Sequence, residues 1–257
     1  MKNYFDLTGM TAIVTGCSTG LGVQMAKALA NQGANIAVLA RRQNLIEQVA
    51  KEISEEYGVQ TLPVPCDITN TEMVESAVKA VMDKFGRIDI LINNAGTGAV
   101  APAEQITDEQ FENELNIDLT GTFKMSRAVA NAAMIPAKSG RIINIASMYG
   151  LVGNKIAPAA PYHAAKGGAV NLTRALAAEW GDKGITVNCI CPGYFETPLT
   201  KETLDSEYFQ NYAKTTIPMA RNGKEGELDT AAVFLAAPAT SYVNGCIIPV
   251  DGGYTCL

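Results

Sequence analysis

Histidine is nearly absent from this chain: His163 is the single one in 257 residues. A Ser-His-Asp nucleophile system therefore has no other candidate, and the Gly-x-Ser-x-Gly turn that would present its serine does not occur. Metal-ligand patterns are missing as well. The cysteines stand at 17, 66, 189, 191, 246 and 256, and Cys189-x-Cys191 is too tight for the usual zinc spacing. With no second pair and no histidine cluster, the thiols read as free and buried in a reducing compartment, and no metal site is expected. No apolar run approaches the roughly 20 residues that cross a bilayer. The first residues, Met1 to Asp6, contain no apolar core of a signal peptide, so a cytoplasmic location is expected. Positive charge is scarce too: 20 Lys and Arg face 26 Asp and Glu, for a net charge of -6 and a pI near 4.9. Arg41-Arg42 is the only adjacent pair of cations, which argues against nucleic acid or an acidic membrane as partner.

What is present is a regular alternation. Apolar strand patterns at 11–16, 35–40, 60–65, 88–93, 141–146, 186–190 and 246–249 alternate with helical patterns at 21–32, 43–57, 71–85, 108–135 and 161–181. Short apolar strands separated by helices predict an α/β fold, a doubly wound parallel sheet of Rossmann type with helices on both faces. No Pro/Ser linker or internal repeat interrupts it, so residues 1–257 are expected to form one domain. Its cofactor half would span about 1–140 and its catalytic half about 141–257. One stretch breaks the rhythm: 194–222 has weak helix signals, three tyrosines and two phenylalanines, and reads as a flap over the substrate or a plain surface excursion.

Chemistry concentrates at the strand ends. The turn Thr15-Gly16-Cys17-Ser18-Thr19-Gly20-Leu21-Gly22 lies where the first strand gives way to a helix. Glycines there allow backbone amides to approach a pyrophosphate at the positive helix end. The second strand ends Leu39-Ala40-Arg41-Arg42, with no carboxylate for a ribose 2′-hydroxyl. Two guanidiniums instead suit a 2′-phosphate, so NADP(H) is favoured over NAD(H), unless Arg42 merely caps the strand in solvent. Tyr162 and Lys166 stand one helical turn apart, where an ammonium favours the phenolate and makes the tyrosine a candidate acid/base. Ser147 ends an apolar strand just upstream.

These motifs, with Asn93-Asn94-Ala95-Gly96, Pro192-Gly193 and Val250-Asp251-Gly252-Gly253, resemble in type and order those of the short-chain dehydrogenase/reductase family. The resemblance covers nearly the full length and implies an oxidoreductase that interconverts alcohols and ketones. It implies a catalytic set of Asn116, Ser147, Tyr162 and Lys166: Tyr162 as acid/base, Lys166 on the nicotinamide ribose, Ser147 on the substrate oxygen and Asn116 on a relay water. For the cofactor it implies Gly16, Ser18, Thr19, Gly20, Leu21 and Gly22 at the pyrophosphate, with Arg41 and Arg42 at the 2′-phosphate. Asp67 and Ile68 would flank the adenine, and Asn94, Ala95 and Gly96 would line the cleft. Pro192, Gly193, Phe195 and Thr197 would hold the nicotinamide. Asn116 also reads as a helix-interior polar residue, and Asp67 as a cap for the helix after Thr69. Cys17 reads as small filler, with an alkylation-sensitive thiol as the other possibility. The family commonly forms dimers or tetramers through helices such as 108–135 and 161–181, so a homo-oligomer is expected. Apolar residues there, among them Val170, Leu172, Leu176 and Trp180, would equally serve to cover the sheet.

For the substrate, an alcohol or ketone, the residues point two ways. Thr97 to Val100, Met148 to Val152, Asn154 to Pro161, Tyr194, Phe195, Leu199, Tyr208, Phe209 and Tyr212 are mostly apolar or aromatic, which suits a bulky ring system such as a hydroxysteroid or bile acid. Phe5-Asp6-Leu7-Thr8-Gly9 and the stretch Pro192 to Thr200 instead resemble the gluconate 5-dehydrogenase branch, whose substrates are sugar acids. Lys155 and Arg221 are the cations near enough for a carboxylate. The steroid class is the first expectation and the sugar acid the second, with a non-catalytic nucleotide-binding scaffold behind both.

Overall fold

A computed structural model describes residues 3–98, 100–156, 158–198 and 200–256. Seven strands form one parallel sheet: β1 (Thr11–Thr15), β2 (Asn35–Ala40), β3 (Thr61–Pro65), β4 (Ile90–Asn93), β5 (Gly140–Ile145), β6 (Ile185–Pro192) and β7 (Ile247–Val250), in the order β3-β2-β1-β4-β5-β6-β7. The strands are apolar almost without interruption because both faces of the sheet are covered. Ala12 and Val14 of β1 join one core with Ile36 and Val38 of β2, while Ile13 of β1 joins the opposite core with Ala37 and Leu39. That is the two-residue period of a strand, buried on both sides.

The helices sort by face. On one side lie α1 (Leu21–Asn31), α2 (Gln43–Tyr57) and, near the end of the chain, α10 (Asp229–Ala236). On the other lie α3 (Thr71–Phe85), α5 (Thr122–Val129) and α7 (Ala160–Trp180). Local chemistry sets their limits. The Asn70 side chain accepts the Met73 amide at 3.0 Å to start α3, and left-handed Gly58 and Gly86 stop α2 and α3. A reciprocal Thr107–Gln110 capping box opens α4 (Asp108–Leu115). The expected helix at 108–135 is one continuous run, but it carries π turns at Asn116–Gly121 and Ala130–Met134 before ending in α6 (Ile135–Ala137). Val170, Leu176 and Trp180 are buried within the chain, where they cover the sheet. The 194–222 stretch holds two short helices, α8 (Lys201–Asp205) and α9 (Glu207–Thr216). No helix among the described residues is long and apolar enough to cross a membrane.

The strand order reverses direction between β1 and β4. Such a switch point leaves a crevice at the C-terminal strand ends, and the turn after β1, the 94–96 turn after β4 and Ser147 after β5 all open into it.

Candidate active site

The crevice begins at the turn after β1. Gly16 holds φ +64°, and a Cβ there would sit 2.7 Å from Ala95 Cα. A side chain is thus excluded twice, by backbone conformation and by the close approach of the 94–96 turn. Asn94 braces this turn, donating from Nδ2 to the carbonyls of Thr15 and Gly16 at 3.1 and 3.2 Å. Gly20 precedes α1 with φ +65°, and no side chain caps the helix, so its first amides face the crevice without a side-chain acceptor.

A cavity of about 280 Å³ continues from Gly16, Ser18 and Thr19 past Arg41, Arg42, Asp67 and Ile68. Both arginines line it. Arg42 is no mere strand cap: its Nη2 donates to Ser18 Oγ at 2.8 Å, which ties the second strand to the glycine turn. Asp67 Oδ1 accepts the amide and hydroxyl of Thr69 at 2.9 and 2.7 Å, so a local turn already occupies one oxygen. Burial alone would raise this carboxyl, but the Thr69 hydrogen bonds and the Arg41 and Lys124 charges hold it below its ordinary value. Cys17 is fully buried, its Sγ is 3.4 Å from Gly22 O, and burial pushes the thiol well above its ordinary range. It is packing in the turn, and the alkylation-sensitive reading is set aside.

The second cavity, about 440 Å³, shares Gly16, Thr19 and Gly96 with the first. Ser147, Tyr162 and Lys166 line it together, with Pro192, Gly193, Phe195 and Thr197 along one wall. Ser147 follows β5 in extended backbone and its Oγ accepts the Tyr149 amide at 3.1 Å. Lys166 is buried, donates to Ile145 O at 3.2 Å, and holds its Nζ 5.5 Å from the centroid of the Tyr162 ring. Gly193 donates to Val250 O at 2.9 Å, and Thr200 Oγ1 donates to Phe195 O at 2.7 Å, so backbone bonds fix this wall.

Asn116 does not join this group. It is exposed at the start of the π turn, whereas Asp118, two residues on, is buried at the site. Two residues are roughly 200° around a helix, so only one of the pair can face inward. Asp118 Oδ1 accepts the Thr97 amide at 2.8 Å, and Oδ2 lies 3.2 Å from Lys166 Nζ, close enough for an ion pair but poorly aligned as a hydrogen bond. Burial alone would pull the Lys166 ammonium down; the Asp118 carboxylate, with Tyr162, outweighs burial and holds it above its ordinary value. A signal for Asp118 was present in the sequence. It shares the buried helix face with Thr122, Met125 and Ser126, and a carboxylate there needs a partner.

The aromatic residues across the cleft meet through their hydroxyls. Tyr149 and Tyr194 hydroxyls meet at 2.6 Å, Tyr212 and Tyr254 hydroxyls at 2.9 Å, and Asn154 Nδ2 reaches the Tyr149, Tyr194 and Tyr254 hydroxyls. Burial raises the Tyr149 and Tyr194 phenols, which therefore stay protonated and act as neutral donors and acceptors. Tyr149 meets the Tyr162 ring edge-on at 6.4 Å and carries His163 stacked on its face at 4.6 Å. Phe209 packs on Tyr194 at 4.9 Å. Tyr208 points to solvent, and Leu199, also expected at the pocket, lies outside the described residues. Lys155 is exposed, and Arg221 is clamped to Glu227 by two hydrogen bonds of 2.7 Å. Among the described residues lining this cleft, Lys166 is the sole cation.

A family model described as enoyl-(acyl carrier protein) reductase matches residues 16–255. Gluconate 5-dehydrogenase of Gluconobacter oxydans is 37% identical over 98% of this chain and 96% of its own length. The chain belongs to the short-chain dehydrogenase/reductase family. D-threitol dehydrogenase of Mycolicibacterium smegmatis is 38% identical over 98% of this chain and 95% of its own. The structure of a gluconate 5-dehydrogenase from Burkholderia cenocepacia, in complex with NADP and tartrate, superposes with a TM-score of 0.93 at 34% identity, covering 99% of this chain and 98% of that one.

Proposed function

We propose that this protein is an NADP(H)-dependent oxidoreductase that interconverts a secondary alcohol and a ketone, with a small polyhydroxylated compound as substrate. One observation carries the reaction: Ser147, Tyr162 and Lys166 line a single cleft that opens, at Gly16, Thr19 and Gly96, into the crevice bearing Arg41 and Arg42. A nicotinamide dinucleotide phosphate fits the residues present. The uncapped start of α1 suits a pyrophosphate, the 94–96 turn packs against Gly16 to shape the crevice, and two arginines stand where a 2′-phosphate would lie.

When bound, the cofactor supplies or accepts the hydride. The protein's own residues do the rest. Gly16, Ser18, Thr19, Gly20 and Leu21 would hold the pyrophosphate, Arg41 and Arg42 the 2′-phosphate, and Asp67 and Ile68 would flank the adenine. Gly22, expected with the first group, is buried against Asn94 and the Gly16 carbonyl and lines neither cavity. Asn94 supports the crevice by bracing its turn, while Ala95 and Gly96 form its floor. Pro192, Gly193, the Phe195 backbone and Thr197 hold the nicotinamide end, and Lys166 the adjoining ribose. Ser147 donates to the substrate oxygen, where negative charge develops. Tyr162 gives that oxygen a proton during reduction and removes it during oxidation.

The substrate class rests on the polar side of the cleft. Tyr149 and Tyr194 line the cleft with Tyr162, and their hydroxyls belong to a hydrogen-bonded cluster with Asn154, Tyr212 and Tyr254. Such a surface matches hydroxyl-rich molecules better than a steroid, and the relatives above are named for gluconate and threitol. The first expectation, a hydroxysteroid or bile acid, gives way to the second group of substrates, widened from sugar acids to sugar alcohols.

Replacing Tyr162 with Phe tests the reaction. Turnover is expected to fall by about 10²–10⁴-fold, with NADPH affinity kept; undiminished turnover would exclude Tyr162 as the acid/base. A panel of gluconate and 5-ketogluconate, threitol, galactitol, keto-steroids and bile acids tests the substrate. Activity confined to the steroids would overturn the polyhydroxylated class.

A further inference from the structure

Behind Lys166, Asp118 is a fully buried carboxylate that the proposed reaction leaves without a task. Its two oxygens do different things. Oδ1 accepts the Thr97 amide at 2.8 Å and so holds the loop that follows the 94–96 turn. An uncharged amide side chain of the same shape would do that equally well. Oδ2, 3.2 Å from Lys166 Nζ, adds negative charge. Both groups close on Gly96, where a Cβ would come within 3.1 Å of Asp118 Oδ1 and of Lys166 Nζ. Any side chain at 96 would push the pair apart. The ammonium is therefore fixed by Asp118 and the Ile145 carbonyl, and the same ammonium lies 5.5 Å from the Tyr162 ring.

We infer that Asp118 is a positioning residue for proton transfer: its carboxylate fixes the Lys166 ammonium and partly neutralises it, and so sets the pH range over which Tyr162 exchanges its proton. The inference rests on the reading of Tyr162 as acid/base. An ammonium favours a neighbouring phenolate, and a carboxylate behind that ammonium opposes the effect. The other groups around the pair act on Lys166 more weakly than Asp118 does; the Cys189 thiol, which its hydrogen bond to Cys191 and the nearby ammonium hold below its ordinary value, adds the least of them. Lys166 is faced by Asp118 from the π turn, Tyr162 from its own helix and the Cys189 thiol from β6, with Cys191 3.8 Å from Cys189. Tyr162 is faced by Tyr149, whose phenol burial keeps protonated, and His163 stacks on Tyr149. Asp118 is the carboxylate of this set, and its charge acts on Lys166 ahead of Tyr162 and Cys189.

The isosteric change Asp118→Asn removes the charge and retains an acceptor for Thr97. Two readouts are compared between wild type and this variant. One is the pH profile of kcat/KM for oxidation of the most active alcohol in the panel above. The other is a tyrosinate absorbance titration of the NADP-saturated protein, taken as the difference from the matching Tyr162→Phe protein, which needs no turnover. In Asp118→Asn the uncompensated ammonium should move both curves to lower pH by about one unit. Curves that superimpose, or move to higher pH, overturn the inference and leave Asp118 as a strut for the 97 loop. Asp118→Ser, which cannot clash, serves if the asparagine variant does not fold. Failure of both to fold, by circular dichroism, also overturns it, because the carboxylate is then needed for structure. A Tyr162→Phe enzyme with full turnover would instead sink the acid/base reading itself, so the two failures are told apart.

Discussion

The crevice beside β1 and the aromatic side of the cleft are built of different materials. The crevice is made of backbone: the turn around Gly16, the start of α1 and the 94–96 turn come close because side chains are missing there. The substrate side is made of side chains drawn from distant places, with Tyr149, Asn154, Tyr194, Tyr212 and Tyr254 meeting through their polar tips. A backbone site tolerates no added atom, but its neighbours change little. A side-chain site loses one contact at a time. The contrast suits the two tasks, since one cofactor has to be held in one pose while substrates differ in the number and placement of hydroxyls.

The sharpest way to break the contrast is at Gly16. An alanine there faces φ +64° and a 2.7 Å approach to Ala95 Cα. The left-handed conformation alone costs about 1–2 kcal/mol, and the clash must also displace the 94–96 turn. Gly16→Ala is expected to weaken NADPH binding by about 100-fold or more, a loss of about 2.7 kcal/mol or more, read by quenching of protein fluorescence. Near-normal affinity would mean that the turn yields and that the crevice is not a rigid backbone site.

Next in size is the charged end of the same crevice. Arg41→Ala with Arg42→Ala should weaken NADPH by about 10–100-fold, the range set by hydrogen bonds to a charged group, and leave NADH affinity almost unchanged. Equal losses for both cofactors would show that the arginines hold the fold, through Arg42 and Ser18, and not the 2′-phosphate.

This difference in construction also decides what the sequence revealed. Strand and helix limits were legible to within a few residues, and 35–40, 43–57 and 71–85 coincide with β2, α2 and α3, because continuous strands and one-sided helices leave periodic traces. The helix α10 was missed: Asp229–Ala236 is apolar nearly all round and carries little periodicity. The glycine turn was legible because a backbone site is written in one short stretch. Asp118 was passed over for Asn116, since residue type matched at one position while the buried face ran through the other. The tyrosine cluster left no local signature. Its members are spread from 149 to 254, and their aromatic rings suggested an apolar pocket until the hydroxyls were seen to meet.

Smaller effects are expected on the substrate side. Tyr194→Phe removes one hydroxyl that Tyr149 and Asn154 share and leaves the ring packed on Phe209. A neutral hydrogen bond contributes about 0.5–1.5 kcal/mol, so KM for a polyol should rise by roughly two- to tenfold with kcat little changed. A large fall in kcat with KM constant would place Tyr194 in the proton transfer, and the cluster would no longer be a surface for recognition alone.

The smallest effect is expected at Arg221, and it separates the two kinds of polyhydroxylated substrate. A sugar acid needs a cation, and Arg221 was one of two candidates in the sequence. Its guanidinium is instead spent on Glu227, whose carboxyl that pairing, helped by the Lys224 amide, holds down at about 2. Glu227 therefore stays ionised across the working pH range, and the clamp persists throughout it. Arg221→Gln should then change KM for gluconate by less than about twofold, within the scatter of surface substitutions. A rise of tenfold or more for gluconate, with none for threitol, would mean that the clamp opens for a substrate carboxylate. The flap would then be a charge-reading element, and the protein a sugar-acid enzyme before a polyol one.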